Sequence, residues 1–312
     1  MRYMTEEGVS IEPSVLFPVI PTVLVNGVQC AIATGISCEV PSYNPKDIIR
    51  NVRHFLKGEP LEDMVPWYRG FKGTVKAVTD ADGVVKSWRT EGLFTRKGNE
   101  FTITEVPIGK TFMKLKSDYE KQGKVTVLED RCTESSVNLR VSVENVETAE
   151  AKGLAESLGL VTHISMRNMN LFDPSGLEPK KYKDTGEILK DFCTWRLEQY
   201  GRRREHLIED AEKTISKLSN RARFIKSVVK EPAIVFGKRR PELIDWLVAE
   251  KYDKADDSYD YLTKIPIDTF TADEAAKAIK QLDTERSALD ALVKTPPSDI
   301  WMRDIEAVEK VC

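Results

Sequence analysis

The 312-residue chain carries a formal net charge of −3 with 31% charged residues, a near balance that excludes a generic polycationic nucleic-acid binder but leaves room for local basic patches. No apolar run approaches the ~18 residues of a membrane span, and the amino terminus lacks a secretory signal pattern. Cys30, Cys38, Cys132, Cys193 and Cys312 form no C-x-x-C pair, so they read as reduced thiols, and an intracellular protein of about two domains is expected.

Taken in order, residues 15–25 form an apolar run interrupted by Pro18 and Pro21. It reads as a buried extended segment or edge strand, because proline cannot donate to a central ladder. Asn26-Gly27 then signals a turn. Lys46 to Lys57 is amphipathic (Ile48, Ile49, Val52, Phe55, Leu56), which predicts a helix closed by Gly58. From Phe71 to Val143 the period drops to two. Residues 74–78, 84–88, 101–106 and 137–143 alternate as half-buried strands do. Asp82-Gly83 and Gly98-Asn99 supply turns, and a helical stretch at Phe112 to Gln122 lies between strands. Residues 1–178 therefore predict a mixed α+β domain.

The remainder, 179–312, is helical. From Thr185 to about Val229 no proline occurs, and Cys193, Leu197, Tyr200, Leu207, Ala211, Ile215, Leu218, Ala222, Ile225 and Val229 recur mostly at steps of three and four. Arg204 breaks the stripe once. Such a helix reaches roughly 60 Å at 1.5 Å per residue, so it needs a partner along its length. Thr271-Ala-Asp-Glu274 has the form of a capping box. Ala275, Ile279, Leu282, Leu289 and Val293 follow at helical spacing, with Arg286 polar in mid-stripe, and Pro296-Pro297 ends the run. Helices over about 185–229 and 271–294 predict an antiparallel coiled-coil arm with a cap at about 230–270; two ordinary bundle helices are the alternative. In the cap, Leu243, Trp246, Leu247, Tyr252, Tyr259, Tyr261, Leu262 and Ile265 supply apolar surface for either a two-fold contact or a small local core.

No catalytic constellation is visible. Pro107-Ile-Gly109-Lys110-Thr111 has the tail of a phosphate loop, but the first glycine of that pattern would fall at Thr104, inside a strand-like run. Asp80-Ala-Asp82 precedes Gly83 and reads as a hairpin turn. His54, His163 and His206 have no ligand spacing. Lys180-Lys181-Tyr182-Lys183, Arg202-Arg203-Arg204 and Lys238-Arg239-Arg240 read first as solvated helix faces, Arg204 excepted as facing the partner helix.

Pro18-Val-Ile-Pro21-Thr-Val-Leu-Val-Asn26-Gly27, Ile32-Ala-Thr34-Gly35 and Pro41-Ser-Tyr-Asn44 resemble a segment of the type IIA DNA topoisomerases, in the eukaryotic, large-DNA-virus and T-even phage branch. The resemblance continues through Pro66-Trp-Tyr68-Arg-Gly-Phe71-Lys-Gly73, Ile103-Thr-Glu105-Val-Pro107, Asn168-Met-Asn-Leu171-Phe172-Asp173, Lys181-Tyr182 and Ala222-Arg223-Phe224-Ile225. It ends at Pro297-Ser298-Asp299-Ile300-Trp301. It implies a tower (shoulder) domain followed by a coiled-coil arm with a helical dimer-gate cap. It also implies that the family's ATPase, metal-binding and nucleophile-bearing domains precede this segment. Arg2-Tyr3 lies only nine residues before Glu12-Pro13, whereas the family's nucleophile lies much farther upstream, so Tyr3 is not expected to be catalytic.

By the same resemblance Ile32 matches an isoleucine that wedges between base pairs, exchanging unstacking for a bent duplex; a buried strand isoleucine is the alternative. This chain departs from the family pattern there, being one residue longer and lacking a glycine in Asn26-Gly27-Val28-Gln29-Cys30-Ala31-Ile32. Thr34, Thr162, His163, Ser165, Arg167 and Asn168 are the other expected DNA contacts. Leu243, Trp246, Leu247, Tyr252, Tyr259, Tyr261 and Leu262 are the expected dimer gate. The expected function is the DNA-bending and dimer-gate portion of an ATP-dependent type II topoisomerase, not catalytic alone, with no cofactor bound by this region and Mg2+ and ATP used by the assembled enzyme. Its partners would be double-stranded DNA, a second copy of the chain and the amino-terminal ATPase/cleavage portion, with no membrane. Location would be with DNA, in a nucleus or in the host of a virus or phage. The rival is a non-enzymatic coiled-coil scaffold associated with DNA.

Overall fold

The computed structural model describes residues 3–174, 176, 178–255 and 257–312, so Arg2 lies outside the described residues. Two compact units form: Met1–Arg196 with Asp304–Cys312, and Leu197–Arg303. The division falls inside the long helix rather than near residue 178.

The first unit begins with the hairpin β1 (Tyr3–Glu6) and β2 (Val9–Pro13), followed by α1 (Thr22–Asn26), the hairpin β3 (Val28–Ala33) and β4 (Ile36–Val40), and α2 (Pro45–Lys57). Residues 15–21 are not strand. The ring of Pro21 starts α1 instead, and Gly27 ends it. Asn44 caps α2 by accepting from the Lys46 N–H, and left-handed Gly58 closes it as expected. Ile48, Ile49 and Val52 are fully buried on its inner face.

Next come β5 (Thr74–Thr79), β6 (Val85–Glu91), β7 (Leu93–Lys97), β8 (Glu100–Glu105), α3 (Phe112–Gln122), β9 (Val125–Asp130) and β10 (Leu139–Val143). The short helices α4 (Val146–Lys152) and α5 (Leu154–Ser157) lead to β11 (Val161–Ser165), β12 (Asn170–Phe172) and β13 (Pro179–Lys181). One sheet has the order β7-β8-β10-β9 and a second β11-β6-β5, with antiparallel pairing throughout both. Alternation places Phe101, Ile103, Leu139 and Val141 on one face, where Leu115 and Tyr119 of α3 cover them. The Tyr119 hydroxyl donates to the Leu158 carbonyl at 2.6 Å, so its burial leaves no orphan. The fold is α+β, as the residue periods predict.

The phosphate-loop tail dissolves into local structure. Thr111 caps α3 by accepting from the Lys114 N–H, and Lys110 pairs with Asp118 at 3.0 Å. Asp80 accepts from the N–H groups of Asp82 and Val84 and pairs with Lys86, which makes the expected hairpin turn.

The long helix α6 (Thr185–Lys230) crosses from the first unit into the second. In the first unit it buries Ile188, Leu189, Cys193 and Arg196. Arg196 is satisfied there by the carbonyls of Pro18 (2.9 Å) and Phe17 (3.3 Å), while Phe17 stacks on Trp195. These contacts are why the compact division falls after Arg196.

The second unit continues with α7 (Arg240–Ala249), α8 (Asp260–Thr263), α9 (Ala272–Lys294) and α10 (Pro297–Glu309), the last crossing back into the first unit. Tyr200 stacks on Trp301 with centroids 5.4 Å apart, Arg204 donates to the Val293 carbonyl, and Phe224 meets Phe270 edge-on. Residues higher on α6 thus meet residues progressively lower in number, so α6 and α9 run antiparallel. A seam of sheltered positions runs through Arg204, Ile208, Ala211, Ile215, Leu218, Ala222 and Ile225 on α6, and Ala275, Ala278, Leu282, Glu285, Leu289 and Leu292 on α9, with Ser216, Ser219, Asn220, Phe224 and Glu274 also sheltered beside it. Both sets step strictly by three and four, a heptad seam. Three expected stripe members stand one residue away from it, Leu207, Ile279 and Val293, 39–47% exposed beside sheltered Ile208, Ala278 and Leu292; Val229 is 39% exposed although in register, beside buried Val228. Arg286 is likewise exposed, next to sheltered Glu285. Among the apolar members, only at Ile279 is the exposed residue bulkier than its sheltered neighbour; there the 3.5-residue repeat fixes the seam and tolerates Ala278 on it.

The cap closes on itself. Leu243, Leu247, Tyr252, Tyr259 and Leu262 are buried with Phe224 and Val228, and Trp246 and Tyr261 pack against them. The Tyr259 hydroxyl donates to the Tyr252 carbonyl, Tyr261 to that of Asp253, and Arg223 lies 3.9 Å over the Tyr252 ring. The local core takes up most of the apolar surface of these residues, while Trp246, Tyr261 and Ile265 stay partly exposed. Leu247→Ala removes a fully buried side chain, and thermal or urea unfolding is expected to show a loss of about 3 kcal/mol.

Candidate nucleic-acid interface

The hairpin β3–β4 explains how the lengthened loop is accommodated. Val28 pairs with Val40, but the next partners are Ala31 with Cys38, so three residues on β3 span two on β4. The extra residue is absorbed as a bulge at Gln29–Cys30, which bends the strand and re-aims the residues beyond it. Ile32 then pairs with Ser37, and Thr34-Gly35 forms a two-residue turn with Gly35 at φ +80°. At the root, Gly27 has φ +66°, and a Cβ there would come within 2.5 Å of the Ser42 hydroxyl, so a side chain is excluded. Ser42 meanwhile donates to the Asn26 carbonyl at 2.8 Å.

Ile32 is 79% exposed at the tip, with Ile36 also exposed beside it and Thr34 in the turn. The alternative of a buried strand isoleucine is excluded. Leaving a large aliphatic group in water forfeits about 1.5–3 kcal/mol relative to burial, so its position has no stabilising rationale inside this chain.

Beside the hairpin lies a groove of about 420 Å³, lined by Gln29, Cys30, Glu39, Ser42, Tyr68 and Ile108 with Thr162, His163 and Ile164 of β11. The expected contact residues divide. Thr162 is committed to structure: its hydroxyl donates to the Ile108 carbonyl at 2.7 Å and accepts from Thr90 at 2.7 Å. His163 points to the opposite face of the strand and is exposed. Ser165 is half-buried, and its hydroxyl accepts from the Arg167 N–H at 3.2 Å. Arg167 and Asn168 are exposed, and the Asn168 carbonyl accepts from the Glu39 N–H at 2.9 Å. The hairpin and the 162–168 segment therefore meet along the groove, while Thr162 offers no free donor.

Two groove residues escape sequence reasoning. Burial pushes the Glu39 carboxyl up, partly offset by a hydrogen bond from the Ser165 backbone. Burial also pushes the Tyr68 hydroxyl up. Neither has a sequence signal, although Tyr68 lies within the Pro66 to Gly73 motif. Among the described residues no group of three or more His, Cys, Asp or Glu side chains converges as a metal site. Among the described residues no helix is long and apolar enough to cross a membrane.

Comparison with known proteins agrees with this geometry. A family profile for the DNA gyrase/topoisomerase IV A-subunit matches residues 1–306. DNA topoisomerase 2 of Plasmodium falciparum (isolate K1 / Thailand) is 31% identical over 353 residues, covering 99% of this chain and 25% of that protein. The Arabidopsis thaliana DNA topoisomerase 2 is 33% identical over 361 residues, covering 99% and 24% respectively. The crystal structure of the Plasmodium falciparum topoisomerase II DNA-binding, cleavage and re-ligation domain matches with a TM-score of 0.85 at 31% identity, covering 99% of this chain and 46% of that one. The chain spans about a quarter of the length of the curated relatives it matches. A profile that runs through both units, over the same α+β body and long helix, leaves one assignment: the chain belongs to the DNA gyrase/topoisomerase IV A-subunit family, in the eukaryotic branch of the type IIA DNA topoisomerases.

Proposed function

We propose that this chain is the DNA-bending and arm-bearing portion of an ATP-dependent type II DNA topoisomerase. One observation carries the reading: an aliphatic side chain, Ile32, stands 79% exposed at the tip of a bulged hairpin whose strands line a groove shared with β11. An apolar wedge of this kind unstacks a base step for a few kcal/mol, and the bent duplex then touches more protein. Thr34, His163, Ser165, Arg167 and Asn168 flank the wedge as phosphate or sugar contacts. Thr162 acts behind them, fixing β11 through Ile108 and Thr90. Cleavage and ATP hydrolysis are assigned to other parts of the enzyme, with Mg2+ and ATP acting there and the partners being duplex DNA, a second copy of this chain and the amino-terminal ATPase/cleavage portion.

The second copy is engaged through the cap. Leu243, Trp246, Leu247, Tyr252, Tyr259, Tyr261 and Leu262 shape that cap from within, and Phe236 (54%), Val248 (55%) and Ile267 (73%) are its exposed apolar groups. These three are the expected self-complementary contact.

Three measurements test this. Ile32→Ala is expected to abolish most of the bend that the chain imposes on a duplex, read by energy transfer between the DNA ends; an unchanged bend would remove the wedge. Glu39→Gln removes a carboxylate from the groove and is expected to tighten duplex binding about two- to fivefold at ~0.1 M salt, the gain shrinking as salt screens it. Sedimentation equilibrium is expected to give a dimer, and Val248→Asp with Ile267→Asp to weaken it at least about tenfold, about 1.4 kcal/mol. A monomeric wild-type chain would favour a gate that needs the rest of the enzyme.

A further inference from the structure

The wedge hairpin is held from one side by a neighbouring ribbon. The Asn170 side-chain amide donates to the Ser37 carbonyl at 2.8 Å, and Ser37 is the residue paired with Ile32 across the ladder. The Glu39 N–H, two residues further along β4, donates to the Asn168 carbonyl at 2.9 Å. Strand β12 and the residues just before it therefore grip β4 at two points, one through a side chain and one through backbone.

The same strand continues the connection away from the tip. Asn170 pairs with Lys181 and Leu171 with Lys180 in the antiparallel ribbon β12–β13. Lys180 binds Asp191 at 2.6 Å and Glu187 at 3.0 Å, both in the first two turns of α6, and lies 4.7 Å over the Tyr182 ring. The Tyr182 N–H donates to the Met169 carbonyl, and the Lys183 N–H to the Glu187 carboxylate. Ser37 is thus linked to the root of the long helix through the Asn170 hydrogen bond, the backbone of β12–β13 and the Lys180 ion pairs, all inside the first unit.

We infer that Asn170 is a positioning residue for the wedge, and that Lys180 anchors the same ribbon to α6. The amide fixes the carbonyl opposite Ile32, so it sets the angle at which the tip meets DNA without touching DNA itself. A two-stranded hairpin has little stability of its own, and its orientation must come from such a lateral hold. The inference rests on the reading of β3–β4 as a DNA wedge, and its experiment separates the two.

In the full chain, Asn170→Ala is expected to at least halve the bend read by energy transfer at saturating protein, with duplex affinity changed less than about threefold. Combined with Ile32→Ala it is expected to add no further loss, because both substitutions act on one contact. Asn170→Gln, which keeps a donor, is expected to recover part of the bend. Hydrogen exchange without DNA gives an independent readout: amides at 36–40 are expected to exchange about tenfold faster in Asn170→Ala and in Lys180→Met, while those of the Phe101–Leu139 sheet are unchanged. Unchanged exchange at 36–40, or a full bend in Asn170→Ala, overturns the inference. If wild type does not bend DNA but exchange rises as expected, the wedge reading fails and the positioning role stands.

Discussion

A helix of 46 residues shared by two compact units sets the terms for everything else in this chain. Isolated helices gain little from propensity, and most of their stability comes from packing an apolar face. α6 meets that requirement differently along its length. Its first three turns bury Ile188, Leu189, Cys193 and Arg196 in the first unit, where a broad face is covered. Beyond Arg196 the sheltered residues centre on a heptad stripe that α9 matches in the opposite direction, joined near the cap by buried Asn220 and Phe224. The change from broad face to narrow seam is a change of role, from anchored root to arm.

Much of this was legible in the sequence, for physical reasons that also mark the limit. Strict periodicity and strong punctuation located α2, α3, α6 and α9 within a residue or two, since Asn44, Thr111 and Gly58 satisfy helix ends locally. The two hairpins before residue 41 and the strands β11 to β13 were not legible. They are short, and their pairing partners or flanking supports lie far away in sequence, so no local pattern announces them. Pro21 was misread for a related reason: proline excludes a central strand but equally favours a first helical turn. On α9 the seam passes through Ala278, a small residue that the adjacent, bulkier and exposed Ile279 masks in the sequence.

The site divided in the same way. The motif around Ile32 identified the position, but not whether the residue was buried. Exposure follows from the position of Ile32 near the projecting tip of β3–β4, where Ala31 and Ile36 are exposed as well, and that placement is invisible in one strand alone. Thr162 looked like a phosphate donor and is instead occupied by Ile108 and Thr90. Glu39 and Tyr68 enter the groove through the fold and carry no motif of their own.

Charge explains why an apolar wedge suits this chain. A net charge of −3 gives no general attraction toward DNA, so long-range steering contributes little and phosphate contacts must be local. Several nearby cations are already spent inside the protein: Lys180 on Asp191 and Glu187, Arg89 on Glu156, and Lys110 on Asp118. Affinity drawn from counterion release is therefore small on this surface. The wedge proposed for Ile32 would draw on a different source of free energy, because apolar contact inside an opened base step is insensitive to the balance of charge. On that proposal the composition of this surface and the apolar tip are consistent with each other, since neither relies on long-range attraction to phosphate.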